Sequence, residues 1–447
     1  MQKTIVLLLL AAVIGCMPGH AQKKISRQEA VGDIDSLVSL IEEVEVDPYM
    51  LLPKERFYSA VDSLKQSLPA DSVSTLNLYL GLKRLTGMFR QGHLGVGGLG
   101  KHWEKAFPLM YLLDVTPGSH ELTVKADADV QGMHLRRGTR LLSINGRKVS
   151  DMVADYLPMM SGETDAFRSS GLGRSFGMIM ACENPGDTIF DVEMLDGSRK
   201  IRHTFRAENG KDMTRPDDSG GKDWKPFEYE MLNDSVMLFT FNSCDTRGFD
   251  RFVRKMFAEA KRTGVRHLII DVRSNGGGNS ATGDEVCRYL TDRPFAGFGG
   301  SKVKISRPVC EHYKEKFERD TIYDNTVEDE YELCLPYDRA FRFDGKTYLL
   351  TSVNTYSSAA NFAWEYWKFV PGTVIGEETG GVNISTGDVI RCTLPNTGFS
   401  VMLPWKIFYH YGAKDGDPVH GTIPHVSVPA SEALDKALAI IASGSDR

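Results

Sequence analysis

Cysteine is scarce in this chain. Seven occur in 447 residues and none stand as CxxC, which argues against a disulfide-rich scaffold, a zinc knuckle or a dithiol redox motif. Setting Cys16 aside leaves Cys182, Cys244, Cys287, Cys310, Cys334 and Cys392. Only Cys310 and Cys334 share a loop-rich region; buried free thiols are the expectation for most of the six. Positive charge is not in excess either. The formal net charge of -6 gives no basic field for nucleic acid. Beyond the N-terminus no apolar run is long enough to cross a bilayer. No Walker, Rossmann or HExxH motif stands in its required context, so no cofactor and no metal is expected.

What is present is the composition of a globular protein, 41% hydrophobic and 25% charged, with length for two or three domains. Residues 1–21 stand apart. Lys3 precedes an apolar run from Ile5 to Ile14, which reads as an export signal rather than a span. Two cleavage readings fit. Gly19-His20-Ala21 suits ordinary signal peptidase, and Val13-Ile14-Gly15-Cys16 resembles a lipobox that would lipidate Cys16 and attach the chain to a membrane. Residues 26–105 predict a helical unit. Ser26-Arg27-Gln28-Glu29 fits a capping box, apolar stripes recur at helical spacing, and Gly92 is placed to cap a helix running to Phe89. From 107 to 206 the texture turns to short strands, with an Asn145-Gly146 turn and a hairpin at Asp196-Gly197. Residues 208–225 are polar and read as a linker. From 226 to 447 strands alternate with helices, which predicts an α/β layer domain.

Chemistry concentrates in that last domain. Lys346 to Val353 reads as a buried strand and Ala359 to Val370 as a helix, so Ser357 and Ser358 fall on the turn between them. A hydroxyl there sits before free helix N–H groups that can stabilise an oxyanion; an ordinary N-cap is the plainer reading. Asp271-Val272-Arg273-Ser274-Asn275-Gly276-Gly277-Gly278 leaves the carboxyl end of another buried strand, where its glycines can form an anion nest. The stretch Asp415 to Pro424 holds Asp415, Asp417 and His420, which either orient a base or decorate a solvated turn. His93 follows a helix end in a glycine-rich loop and by itself reads as a packing histidine. Gly173-Arg174-Ser175-Phe176-Gly177 matches G-x-S-x-G, but no buried strand precedes Ser175, so it is set aside.

Taken together, LIIDVRSNGGG, NTYSSAANFA, VIGEETGG and HGTIP resemble the exported tail-specific, or C-terminal processing, serine proteases, nearest their tricorn-like branch. Gly132 to Gly146 is similar to the core of a PDZ domain. The resemblance implies a multidomain α+β chain: an N-terminal helical unit, a PDZ-like β-rich domain and a ClpP/crotonase-like α/β catalytic domain. It implies Ser357 as nucleophile, with the Ser358 N–H and a glycine, Gly276 or Gly277, as oxyanion hole. The base departs from the processing proteases proper, whose lysine would stand near Gly381. The tricorn-like pattern puts a histidine at His93 instead. Where that pattern has an orienting serine and glutamate, this chain has Gly92 and His420, so Asp415 or Asp417 would substitute, or His420 would hold the base itself. The substrate implied is a polypeptide. A rival from another class is a non-catalytic binder of peptides or apolar ligands, similar to the retinoid-binding proteins of the eye.

Overall fold

The computed structural model describes residues 23–99, 105–209, 224–314, 326–329 and 332–444. The export signal and Cys16 lie outside the described residues, as does most of the expected linker.

The first helix, Arg27–Val44, opens on the expected capping box: the Glu29 N–H donates to Ser26 Oγ at 3.2 Å and the Ser26 N–H to Glu29 Oε2 at 2.7 Å. Its apolar stripe, Ile34, Leu37, Val38 and Ile41, is buried. Helices Lys54–Ser67 and Thr75–Gly87 follow. The third stops at Gly87, before Gly92, so Gly92 is not its cap.

Between 107 and 206 an antiparallel sheet runs in the order Arg199–Arg206, Ile189–Asp196, Arg140–Ile144, Leu122–Val124, Leu113–Val115. Asn145 and Gly146 take positive φ, 49° and 79°, as the turn at the end of the Arg140–Ile144 strand requires. The hairpin pairs Asp196 with Arg199, so its turn residues are Gly197 and Ser198. One element has no counterpart in the sequence reading. Asp165–Glu183, polar and glycine-rich in its first half, is a helix of 19 residues. Its glycines are what let it dock: a Cβ at Gly173 would lie 2.9 Å from Asp114 Cα, and one at Gly177 2.4 Å from Met110 Cβ. Ser175 sits inside this helix, not on a strand-to-helix turn.

The third region holds two sheets. One is largely parallel, in the order Phe227–Asn233, Val236–Phe241, His267–Asp271, Lys346–Thr351, Thr373–Gly376, Val426–Ser427, with only the Phe227–Asn233 edge strand antiparallel to its neighbour. Helices Phe249–Thr263, Ala281–Leu290 and Ser358–Phe369 bury one face of it and Ala433–Ser443 covers the other. The second sheet joins Thr326–Asp329, Phe298–Lys304, Ser400–His410 and Ile384–Thr393, and takes in a short strand from far upstream, Gly95–Gly97, paired with Ser400–Met402. One apolar core runs from the first helices through the middle sheet to Ile390, Phe399, Val401 and Trp405. Among the described residues the six cysteines form no disulfide with one another, so Cys310 and Cys334 are not bridged. No helix among the described residues is long and apolar enough to cross a membrane.

Candidate active site

Lys346–Thr351 is buried between two parallel neighbours, and the chain leaves its carboxyl end to enter the Ser358–Phe369 helix. Ser357 is the hinge residue, at φ 52° and ψ -128°. This is a costly conformation for a side chain, and it holds only where the surroundings fix it. They do so here. The Tyr356 N–H donates to the Asn275 carbonyl at 3.0 Å, Thr355 Oγ1 to the Val272 carbonyl at 2.8 Å, and the Ala360 N–H to the Ser357 carbonyl at 2.9 Å. Gly277, at φ 104°, lies so close that a Cβ there would stand 2.7 Å from Ser357 Cβ.

The glycine loop and the helix start offer donors to the space before Ser357. Gly277 is not one of them, because its N–H donates to Asn275 Oδ1 at 2.9 Å. Asn275 is fully buried, and its other side-chain atom, Nδ2, donates to the Phe241 carbonyl at 2.9 Å, so the loop is pinned from within. Gly278 lines the cleft beside Ser357 and Ser358, and Ser358 Oγ donates to its carbonyl at 2.8 Å. Among the described residues the N–H groups of Gly276, Gly278 and Ser358 make no hydrogen bond. Gly278 thus joins Gly276 and Ser358 as a candidate donor. Which N–H of the triplet faces Ser357 is set by the ψ and φ on either side of each peptide plane, and the spacing of the glycines does not reveal that.

His93 arrives from 264 positions away, its Nε2 standing 3.2 Å from Ser357 Oγ. The strand just after it, Gly95–Gly97, is the means: pairing with Ser400–Met402 anchors the loop over the cleft. The ring is half-buried, and burial pushes its pKa down to about 4, against weaker upward pulls from Asp388 and the Thr386 backbone. On the other side of the ring, Nδ1 lies 3.4 Å from the Tyr356 hydroxyl, which bonds both Glu163 carboxylate oxygens at 3.0 Å. Gly92 is required there. A Cβ at 92 would sit 2.1 Å from the Tyr356 hydroxyl, and the Gly92 N–H donates to Glu163 Oε1 at 3.1 Å. Neither Tyr356 nor Glu163 stood out in the sequence as a site residue. Tyr356 lies in the serine motif as one aromatic among many, and Glu163 precedes a helix that the sequence hid.

The residues expected to orient the base are elsewhere. His420 Nδ1 bonds the Gly421 carbonyl at 2.7 Å and its ring packs on Trp364 at 5.6 Å; backbone pairing with Asn383 holds it there. No hydrogen bond joins it to His93 or Ser357 among the described residues. Asp415 accepts from Tyr409 at 2.5 Å and pairs with Lys302, while Asp417 accepts the Lys414 N–H at 3.0 Å. Neither carboxylate is bonded to His93. Gly381 shows why no lysine stands near that position: a Cβ there would meet Ala360 Cβ at 2.5 Å and the Ser357 nitrogen at 3.0 Å.

The cleft, about 430 Å³, is walled by Phe298, Phe408 and Val389, with His410 and the Lys406–Asp388 ion pair at 2.8 Å. Phe298 and Phe408 pack at 4.9 Å, and burial pushes the His410 imidazole down to about 3, so this wall is neutral and aromatic. Among the described residues no group of three or more His, Cys, Asp or Glu side chains is arranged to hold a metal.

A buried strand, a strained serine turn and a glycine loop on one sheet edge are the ground plan on which an acyl-transferring enzyme is built, and the family comparison gives the class: the chain is a serine-type peptidase. Residues 236–428 match the model of Peptidase family S41. Mature CPAF shares the fold at 15% identity over 93% of this chain and 96% of that one, with a TM-score of 0.66. Mature CPAF complexed with lactacystin aligns at 16% identity over 94% and 97%, with a TM-score of 0.64. A putative peptidase from Parabacteroides merdae aligns at 16% identity over 94% and 98%, with a TM-score of 0.46.

Proposed function

We propose that the protein is an exported serine endopeptidase that cleaves polypeptides through an acyl-enzyme on Ser357, with His93 as general base. The approach of His93 Nε2 to Ser357 Oγ, 3.2 Å, carries this reading. An imidazole held neutral by burial is ready to take the serine proton as Oγ attacks the peptide carbonyl. The tetrahedral oxyanion would meet the N–H groups of Ser358 and Gly278, or Gly276, and the protonated His93 would then return its proton to the leaving amine. Water repeats the cycle and frees the acid.

Two features support an extended polypeptide as substrate. The strand Ile384–Thr393 is the outer member of its sheet, and its residues Ser385 to Val389 line the cleft, so a substrate strand can pair along it. The region 107–206 has the strand content of a PDZ-like module and would hold another part of the same chain. Domain limits at 26–105, 107–206, 208–225 and 226–447 belong to this reading. So does an extracytoplasmic location, periplasmic or at the outer membrane, with Cys16 as lipid anchor or residues 1–21 as cleaved leader.

The test is Ser357→Ala and His93→Ala in the full chain with an unfolded protein such as casein as substrate. Both variants should fold, lose cleavage and fail to label with a serine-directed fluorophosphonate. Normal turnover by Ser357→Ala would end the assignment, and normal turnover by His93→Ala would end the dyad.

A further inference from the structure

We propose that Glu163 and Tyr356 are positioning residues for His93: the Glu163 carboxylate takes the Tyr356 O–H, and the Tyr356 oxygen in turn accepts the His93 Nδ1–H, leaving Nε2 free to take the Ser357 proton. The inference rests on the Ser357–His93 reading and goes beyond it, because it assigns the orienting function to a residue outside the family-matched segment 236–428.

The direction of each proton follows from what the groups can do. An ionised carboxylate only accepts. Glu163 accepts from two sides, the Gly92 N–H at 3.1 Å and the Tyr356 hydroxyl at 3.0 Å. The single Tyr356 proton is therefore committed to Glu163. What remains toward His93, at 3.4 Å, is an oxygen lone pair, and the neutral ring can meet it only with Nδ1–H. The tautomer this selects has its lone pair on Nε2, facing Ser357 Oγ. A general base with the other tautomer would have nothing to accept with.

The arrangement is held firmly. Tyr356 is 7% exposed, and its ring stacks on Phe167 at 4.3 Å with an interplanar angle of 12°. Phe167, Ser170 and Arg174 share one face of the Asp165–Glu183 helix; Ser170 Oγ and Arg174 Nη1 reach Asn354 Oδ1 at 2.8 and 2.7 Å. The helix thus grips the nucleophile turn at 354 and 356 while the residue just ahead of its N-cap supplies the carboxylate. Other charges lie further out. Arg90 bonds the Glu163 carbonyl at 3.5 Å and pairs with Asp165, Arg168 pairs with Asp165 as well, and Asp388 acts on His93 from the opposite wall.

The relay works only with Glu163 ionised. A protonated carboxyl would donate to Tyr356, turn its hydroxyl proton toward His93 and stabilise the wrong tautomer. Burial already pushes the Glu163 pKa up from the usual carboxylate value, against bonds from Gly92 and Tyr356, whereas that of His93 is held near 4. The acid limb of kcat in the wild-type enzyme should then follow Glu163, at higher pH than His93 alone would set.

The experiment compares wild type, Tyr356→Phe, Glu163→Gln, Ser357→Ala and His93→Ala as full-length proteins, with kcat and KM measured on a peptide substrate from pH 4 upward. Tyr356→Phe keeps the ring on Phe167 and removes only the hydroxyl; kcat should fall roughly a hundredfold with KM little changed. Glu163→Gln keeps an acceptor oxygen for Tyr356, so it should retain more activity than Tyr356→Phe while its acid limb moves to lower pH. An unaltered kcat in Tyr356→Phe, or an acid limb that stays in place in Glu163→Gln, overturns the relay while inactive Ser357→Ala and His93→Ala leave the dyad standing. Activity in either of those two overturns the dyad and the relay with it.

Discussion

At the scale of single residues, the site is governed by backbone angles and missing side chains more than by charge. Ser357 holds a positive φ that only its neighbours can enforce, and Gly277 packs closely against it. Gly277→Ala would put a methyl group against Ser357 Cβ at a φ of 104° that alanine avoids. Turnover should drop by about 10²-fold or more, since the oxyanion donors and the hydroxyl move together. Steady-state kinetics on a peptide substrate would show it, and unchanged kcat would mean the turn is not tuned by this contact. Glu45 offers a different residue-scale effect. It is 2% exposed, and burial pushes its carboxyl up to about 8 against weaker downward pulls from Gln91 and Lys304. A raised folded-state pKa means its contribution to stability is full below the ordinary 4.5 and is lost as pH climbs through about 8. Glu45→Gln removes that loss. Thermal melts of the two proteins should separate in favour of the variant between pH 5 and pH 9, with no gain to the variant at pH 4.

At the scale of elements, two docked pieces complete the site from outside the family-matched segment. The strand Gly95–Gly97 is three residues long and carries His93 over the cleft by pairing with Ser400–Met402. The helix Asp165–Glu183 closes the site from behind, and glycines set how near it comes. Gly177→Ala would force a methyl group within 2.4 Å of Met110 Cβ. The helix must then ride outward from the 110–115 segment, at a cost of about 1–3 kcal/mol. A lower urea midpoint is the expected reading, together with reduced kcat because the same helix holds Asn354 and Tyr356. A midpoint equal to wild type would show that the packing has slack.

At the scale of the whole molecule, the first helix is tied to the far end of the chain. Asp33 is fully buried and accepts from the Asn396 N–H at 2.9 Å, the Thr397 N–H at 2.9 Å and Thr397 Oγ1 at 2.5 Å. That joins residue 33 to the turn that feeds Ser400–His410, the strand on which the His93 segment is paired. Asp33→Ala would leave those donors buried and unpaired, costing about 3 kcal/mol or more. The melting temperature should fall, and activity should be lost on warming before the rest of the chain unfolds; circular dichroism alongside activity would follow both.

The serine turn, the parallel strands about it and the helices between them are legible in the chain, because each rests on local pattern: apolar runs, caps and glycines at fixed spacing. Val236–Phe241, His267–Asp271 and Thr373–Gly376 lie where alternation and apolar runs place them. Tertiary structure alone decided the second sheet, the Asp165–Glu183 helix and the neighbours of His93. Ile384–Thr393 and Ser400–His410 mix polar and apolar residues because their faces meet different surroundings, and the helix's glycines weaken its propensity for the sake of a close contact. His420 stood in the expected register and turned away, while Glu163 and Tyr356, unmarked in the sequence, reach the imidazole. A side chain's distance from a site 264 residues along depends on how sheets and helices stack, and no periodicity in the chain encodes that.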